Sequence, residues 1–161
     1  MDKVDEIIEQ WNQVRPDLDV SSMSLVGRFK RITQHLSQEM TKTFAEYGLN
    51  AASFDVLATL LRTGPPYALS PNDLLATMMV TSGTMTNRID QLSKSGLVER
   101  MQNPDDARSV IVSLTEKGFA IIDSAVTAHV ATQDRLTSGL TEEEHNTLNK
   151  LLRKFLGSIE E

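Results

Sequence analysis

Three short polar side chains, Thr84, Asn87 and Gln91, recur at helical spacing on the side opposite Met85, Ile89 and Leu92. Hydroxyl and amide groups on one helix face can hydrogen-bond to base edges and phosphates in a major groove. Ser82 opens the same helix and joins this candidate DNA-contact set. Any amphipathic helix with a solvated face shows such a pattern, so the reading depends on what surrounds it. Just beyond lies Arg108, after the turn-forming run Asn103-Pro104-Asp105-Asp106, where a guanidinium is placed to enter a minor groove. A salt bridge from Arg108 to Asp105 or Asp106 is the alternative. The two roles are compatible, because a carboxylate that fixes a guanidinium also aims it.

Other chemistry has little support. His35, His129 and His145 are scattered, with no His-Glu-x-x-His spacing, phosphate loop or serine elbow. His129 falls beside the apolar stripe of its helix and reads as packed or exposed. Without cysteine there is no disulfide framework, thiolate metal site or thiol nucleophile. No catalytic residue, metal site or cofactor is expected. The net charge of -6 does not favour nonspecific affinity for nucleic acid. From Thr81 to Gly118, Arg88, Lys94, Arg100, Arg108 and Lys117 are balanced by Asp90, Glu99, Asp105, Asp106 and Glu116. DNA recognition would therefore rest on geometry. No run approaches the roughly 18 apolar residues of a membrane span, and the acidic start is unlike a secretory signal, so the cytoplasm is the expected location.

Helices must position these side chains. Val4, Ile7, Ile8 and Trp11 mark a short helix that Pro16 cannot extend. A long stripe runs from Leu25 through Phe29, Ile32, Leu36, Met40 and Phe44 to Tyr47, and Gly48 stops it. Phe54, Leu57 and Leu61 line the next helix, closed by Gly64-Pro65-Pro66. Ser70-Pro71-Asn72-Asp73 predicts a capped start with Asp73 reaching back, and Thr81 or Ser82 caps the following helix, which Gly96 closes. Leu97–Met101 and Val110–Leu114 then alternate as two strands of a hairpin. Two final helices open at Thr115 and at the capping box Thr141-Glu142-Glu143-Glu144. The pattern predicts a mainly α fold with a small β-hairpin, a winged helix-turn-helix flanked by dimerisation helices. Its expected divisions are 1–48 (N-terminal dimerisation and pocket cover), 49–115 (DNA-binding) and 116–161 (C-terminal dimerisation).

The segment Asp106-Ala107-Arg108-Ser109-Val110-Ile111-Val112-Ser113-Leu114-Thr115-Glu116-Lys117-Gly118 resembles the wing signature of the MarR family of bacterial regulators. The order of elements is also similar. The resemblance implies a homodimer that reads a pseudo-palindromic operator in double-stranded DNA. The stretches Gln10-Trp11, Arg15–Val20, Phe54–Leu60 and Asn87-Arg88-Ile89 resemble the urate-responsive PecS and HucR-type branch. That branch implies a repressor released by a small aromatic or purine anion, with Trp11, Asp55, Arg88 and Arg100 as ligand residues.

Taken by themselves, Asp55 and Arg88 border apolar faces and are expected to pair, since an unpaired buried charge is costly. Trp11 offers a ring for stacking, and Arg100 a second fork of donors. The alternatives are core packing for Trp11, a structural ion pair for Asp55 with Arg88, and a phosphate contact for Arg100. Relatives often carry a second basic residue after the position of Arg100, where this chain has Met101. That departure leaves phenolic or indole carboxylic acids as alternatives to urate. Separately, a protein-binding adaptor is the alternative to DNA reading, since some winged helices bind partners instead of DNA.

Overall fold

A computed structural model of the chain describes residues 1–78 and 81–160, apart from the Ser82 side chain. Side-chain caps set its helices. Asp2 accepts from the Val4 and Asp5 N–H groups at 2.7 and 3.1 Å, and the Asp5 carboxylate accepts from the Asp2 N–H at 2.9 Å. This reciprocal pair opens α1 (Lys3–Val14). α2 (Ser21–Glu46) follows, and the chain divides within it into two units, Met1–Glu39 and Met40–Glu161.

In the first unit Arg28 of α2 holds the start of α1, donating to Asp2 at 2.9 Å and to Asp5 at 2.5 Å. The guanidinium keeps the Asp2 carboxyl below its ordinary range, and the Asp2 backbone N–H, followed by the guanidinium, does the same for Asp5. Val4 packs over Gly27, where an added Cβ would stand 3.2 Å from a Val4 methyl.

The second unit contains α3 (Ala51–Arg62), β1 (Ala68–Leu69), α4 (Pro71–Met78) and α5 (Ser82–Lys94). It continues through β2 (Val98–Asn103), β3 (Asp106–Leu114), α6 (Glu116–Thr137) and α7 (Glu142–Glu160). Val56, Leu57 and Leu60 of α3, Leu74 of α4, Met85 and Ile89 of α5, Val112 of β3 and Ile122 and Ala125 of α6 form one buried core. Removing that apolar surface from water is the main force holding the three short helices against the sheet. α7 instead leaves Leu148, Leu151, Phe155, Leu156 and Ile159 exposed. Among the described residues no helix is long and apolar enough to cross a membrane.

Most expected boundaries are present, including Thr81 as one of the two expected caps of α5, and two details differ. The hairpin is part of a three-stranded antiparallel sheet, because β1 pairs with β3 through Ala68 opposite Ser113 and Leu69 opposite Val112. Tyr67 directs the chain there: it adopts a φ of 57°, its carbonyl accepts from the Leu114 N–H at 3.1 Å, and its ring packs on Phe119. At the start of α4, Ser70 accepts from the Asp73 N–H at 3.1 Å as predicted. The Asp73 carboxylate, however, takes the Ser70 hydroxyl proton at 2.7 Å, so the two side chains bond to each other. At α5 the cap is Thr81, which accepts from the Thr84 N–H at 3.3 Å.

The C-terminal end of α5 is fastened to α6. Gly96 supplies the left-handed turn at φ 72°. Lys117 donates to the Ser95 carbonyl at 3.2 Å, the Thr115 hydroxyl to the Gly96 carbonyl at 2.6 Å, and the Thr115 N–H to the Leu97 carbonyl at 3.2 Å. Gly118 lies directly against Leu97, and a Cβ there would come within 1.9 Å of its carbonyl oxygen.

Candidate nucleic-acid interface and ligand pocket

The spacing along α5 sorts its side chains as expected. Met85, Ile89 and Leu92 are buried, whereas Thr84, Asn87 and Gln91 are exposed. Thr84 also receives a hydrogen bond from the Thr81 hydroxyl at 2.8 Å, which orients its own hydroxyl. The Ser82 side chain lies outside the described residues. On the hairpin, Arg108 is 93 % exposed beside the tip, with Nε 3.3 Å from an Asp106 carboxylate oxygen. The same oxygen accepts the Arg108 backbone N–H at 3.0 Å. Asp106, rather than Asp105, therefore steers a guanidinium that projects into solvent.

Of the four residues that the branch resemblance gave for a ligand, the three in the second unit fall in two places. Asp55 of α3 and Arg88 of α5 line one cavity of about 440 Å³, together with Ala58, Thr59 and Arg62 of α3 and Thr77 and Met78 of α4. Arg88 also borders a smaller cavity of about 140 Å³, which it shares with Asn50, Ser53 and Gln91. Arg100 lies elsewhere. On β2 it donates to Asp90 of α5 at 2.5 Å and does not line the larger cavity. Trp11 belongs to α1 in the other unit, with 41 % of its surface exposed.

The expected direct pairing of Asp55 with Arg88 is not formed, and this corrects the sequence reading. No contact of salt-bridge length joins them; the guanidinium acts on the carboxylate only through its field. The physical reason is access to water. Asp55 sits at the open rim of α3, so solvent in the cavity does part of what a contact ion pair would do. Partial burial still pushes the Asp55 carboxyl up, and Arg88, His129 and Arg62 offset this in that order. His129 of α6 sits against the stacked rings of Phe44 and Phe54, with centroids 5.2 and 4.9 Å away. Its Nδ1 is buried without a hydrogen-bond partner, and burial lowers its pKa from 6.5.

Arg62, Thr59 and Thr77 were not among the residues expected from sequence. A signal for the first two was present: Asp55, Thr59 and Arg62 follow at i, i+4 and i+7, which places them on one face of α3. Thr77 comes from another helix, and only the fold brings it to the cavity. Among the described residues no cluster of His, Asp or Glu could hold a metal ion.

Comparison with known proteins supports the same architecture. A model described as the MarR family matches residues 49–110. The HTH-type transcriptional regulator PecS of Dickeya dadantii (strain 3937) is 40% identical over 150 residues, which is 93% of this chain and 90% of PecS. The chain belongs to the MarR family. Among solved MarR-family structures, a mutant MarR from E. coli complexed with operator DNA is 28% identical, with a TM-score of 0.72. That match covers 91% of this chain and 97% of the other. BpsR of Bordetella bronchiseptica, whose DNA binding is regulated by 6-hydroxynicotinic acid, is 27% identical with a TM-score of 0.68, over 80% of this chain and 90% of BpsR. This MarR-family chain is thus a DNA-binding transcription regulator of winged helix-turn-helix type.

Proposed function

We propose that the protein is a cytoplasmic, homodimeric repressor that a small planar anion releases from a pseudo-palindromic operator. The observation that carries this reading is the position of Arg88: it lines the larger cavity with Asp55 and is mounted on the helix that exposes Thr84, Asn87 and Gln91. An anion drawn to Arg88 would repel or protonate Asp55, change the field between the two groups and shift α5 relative to the groove. In this reading Ser82, Thr84, Asn87 and Gln91 contact DNA through α5, and Arg108 does so through the wing. Trp11 and Arg100 are the other two ligand residues of this reading, which requires Arg100 to exchange its Asp90 contact for the anion. The division 1–48, 49–115 and 116–161 then separates dimerisation from DNA reading, and the exposed apolar face of α7 supports that role for the last part.

Urate is the first effector to test, with phenolic and indole carboxylic acids beside it. The acid that regulates BpsR is likewise a small aromatic carboxylate. A mobility shift on the chain's own upstream DNA, with and without each compound, tests the reading. Release should lower operator affinity by roughly one to two orders of magnitude, in line with typical allosteric couplings. An Arg88→Ala variant that binds operator and responds to effector like the wild type would refute the mechanism. Operator affinity that barely changes with salt would favour an adaptor that binds protein partners.

A further inference from the structure

The larger cavity has more positive charge than Asp55 and Arg88, the two expected ligand residues that line it, imply. Arg62 stands two turns after Asp55 on the same face of α3 and lines the cavity with it. Among the described residues Arg62 has no ion-pair partner, in contrast to Arg15, Arg28, Arg100 and Arg108, each of which has a carboxylate within contact. Its field also reaches Asp55 across the cavity wall. Arg100, the guanidinium expected as the second anchor, is committed to Asp90 on another part of the module. Among the described residues, the cavity is therefore bordered by two guanidiniums without contact partners, from α3 and α5, and by one carboxylate. Thr59 and Thr77 spend their hydroxyl protons on the carbonyls of Asp55 and Asp73, both at 2.7 Å, which leaves their oxygens as acceptors toward the cavity.

We propose that Arg62 is a specificity-determining ligand residue, and that with Arg88 it selects a planar effector bearing two anionic groups over one bearing a single anionic group. This rests on the reading of the cavity as the effector site. A monoanion satisfies one guanidinium and leaves the other solvated. A rigid dianion engages both, and each engagement is a charge-assisted hydrogen bond. A volume of about 440 Å³ accommodates a single aromatic ring with two carboxylates.

The test is calorimetric titration of the full-length wild type with benzoate and with isophthalate, repeated on Arg62→Gln, Arg62→Lys and Arg88→Gln. Wild type should bind isophthalate more tightly than benzoate by on the order of ten- to a hundred-fold, the usual value of one extra charged hydrogen bond. Arg62→Gln should abolish that preference while leaving benzoate affinity within about three-fold, and Arg62→Lys should restore part of it, because an ammonium keeps the charge but not the fork. Arg88→Gln should weaken both ligands. A preference that survives in Arg62→Gln, or wild type that does not distinguish the two acids, overturns the role of Arg62 while leaving the cavity as the effector site. Binding of both acids that is unaffected by Arg88→Gln, or no binding of either, overturns the cavity reading and this proposal together. Thermal unfolding of each variant identifies any loss of binding caused by loss of fold.

Discussion

Gly118→Ala should be among the most damaging single-methyl additions in the protein. The new Cβ would lie 1.9 Å from the Leu97 carbonyl oxygen, 2.8 Å from its carbonyl carbon and 3.2 Å from its Cα, against 3.4–4 Å for ordinary contact. All three opposing atoms are backbone, so no rotamer change relieves the overlap. α6 must retreat by about 1.5 Å, the difference between 3.4 and 1.9 Å. Such a retreat stretches the Thr115 bonds to Gly96 and Leu97 beyond hydrogen-bond range and opens the core where Ile122 packs. Overpacking alone costs about 1–3 kcal/mol, and the lost hydrogen bonds add roughly 1 kcal/mol each, giving a total of about 3–5 kcal/mol. For a chain of this size that corresponds to a fall in Tm of roughly 6–20 °C. Circular dichroism melts at matched protein concentration measure it, with Gly139→Ala as control, since nothing lies within 4 Å of a Cβ there. A Gly118→Ala variant melting within about 2 °C of wild type would refute the packing argument.

Alanine at Asn87 or Gln91 should weaken operator binding by about 1–3 kcal/mol where the side chain reads a base, measured by mobility shift at fixed salt. A change that is equal on operator and random DNA would instead assign the side chain to phosphate. Burial pushes the Asp55 carboxyl up, so its charge is lost at a higher pH than an ordinary aspartate's. Anion affinity should therefore rise as pH falls toward that raised value, whereas Asp55→Asn should bind tightly and without this pH dependence; parallel dependence in both proteins would count against Asp55 facing the ligand. For His129, whose pKa is lowered from 6.5, the neutral ring is favoured by folding. Its contribution to stability is present above pH 6.5 and is lost as pH falls through the lower folded value. Melts between pH 7 and 5 should show a steeper loss for wild type than for His129→Phe.

Local chemistry carried much of the fold into the sequence. Thr81, Thr115 and the Thr141–Glu144 pair are short-range caps, and each is formed as its spacing demands. β1 was not legible because two residues cannot display alternation, and the left-handed position that starts it is Tyr67 rather than a glycine. Its pairing with Ser113 and Val112 depends on residues more than forty positions away. The site was read in the same proportion. Helical spacing alone places Thr84, Asn87 and Gln91 outward, and Asp55 and Arg88 do meet at one cavity. The partner of Arg100 depends on how β2 returns beside α5, a tertiary matter that brings Asp90 within 2.5 Å. Arg62 was legible as a face-mate of Asp55, but nothing in the spacing says that α4 and α5 enclose that face.

The three bonds that fasten residues 95–97 to the start of α6 make α5 a lever with a fixed fulcrum. At a rise of 1.5 Å per residue, Arg88 lies about 9 Å and Ser82 about 18 Å from Lys94. A sideways push of about 1 Å at Arg88 therefore arrives at the leading end of the helix as about 2 Å. Hydrogen bonds to bases tolerate only a few tenths of an ångström. Under the proposed function, an effector that moves one guanidinium slightly would thus unseat the end of the helix proposed to enter the groove, and Met85 and Ile89 would have to repack with it.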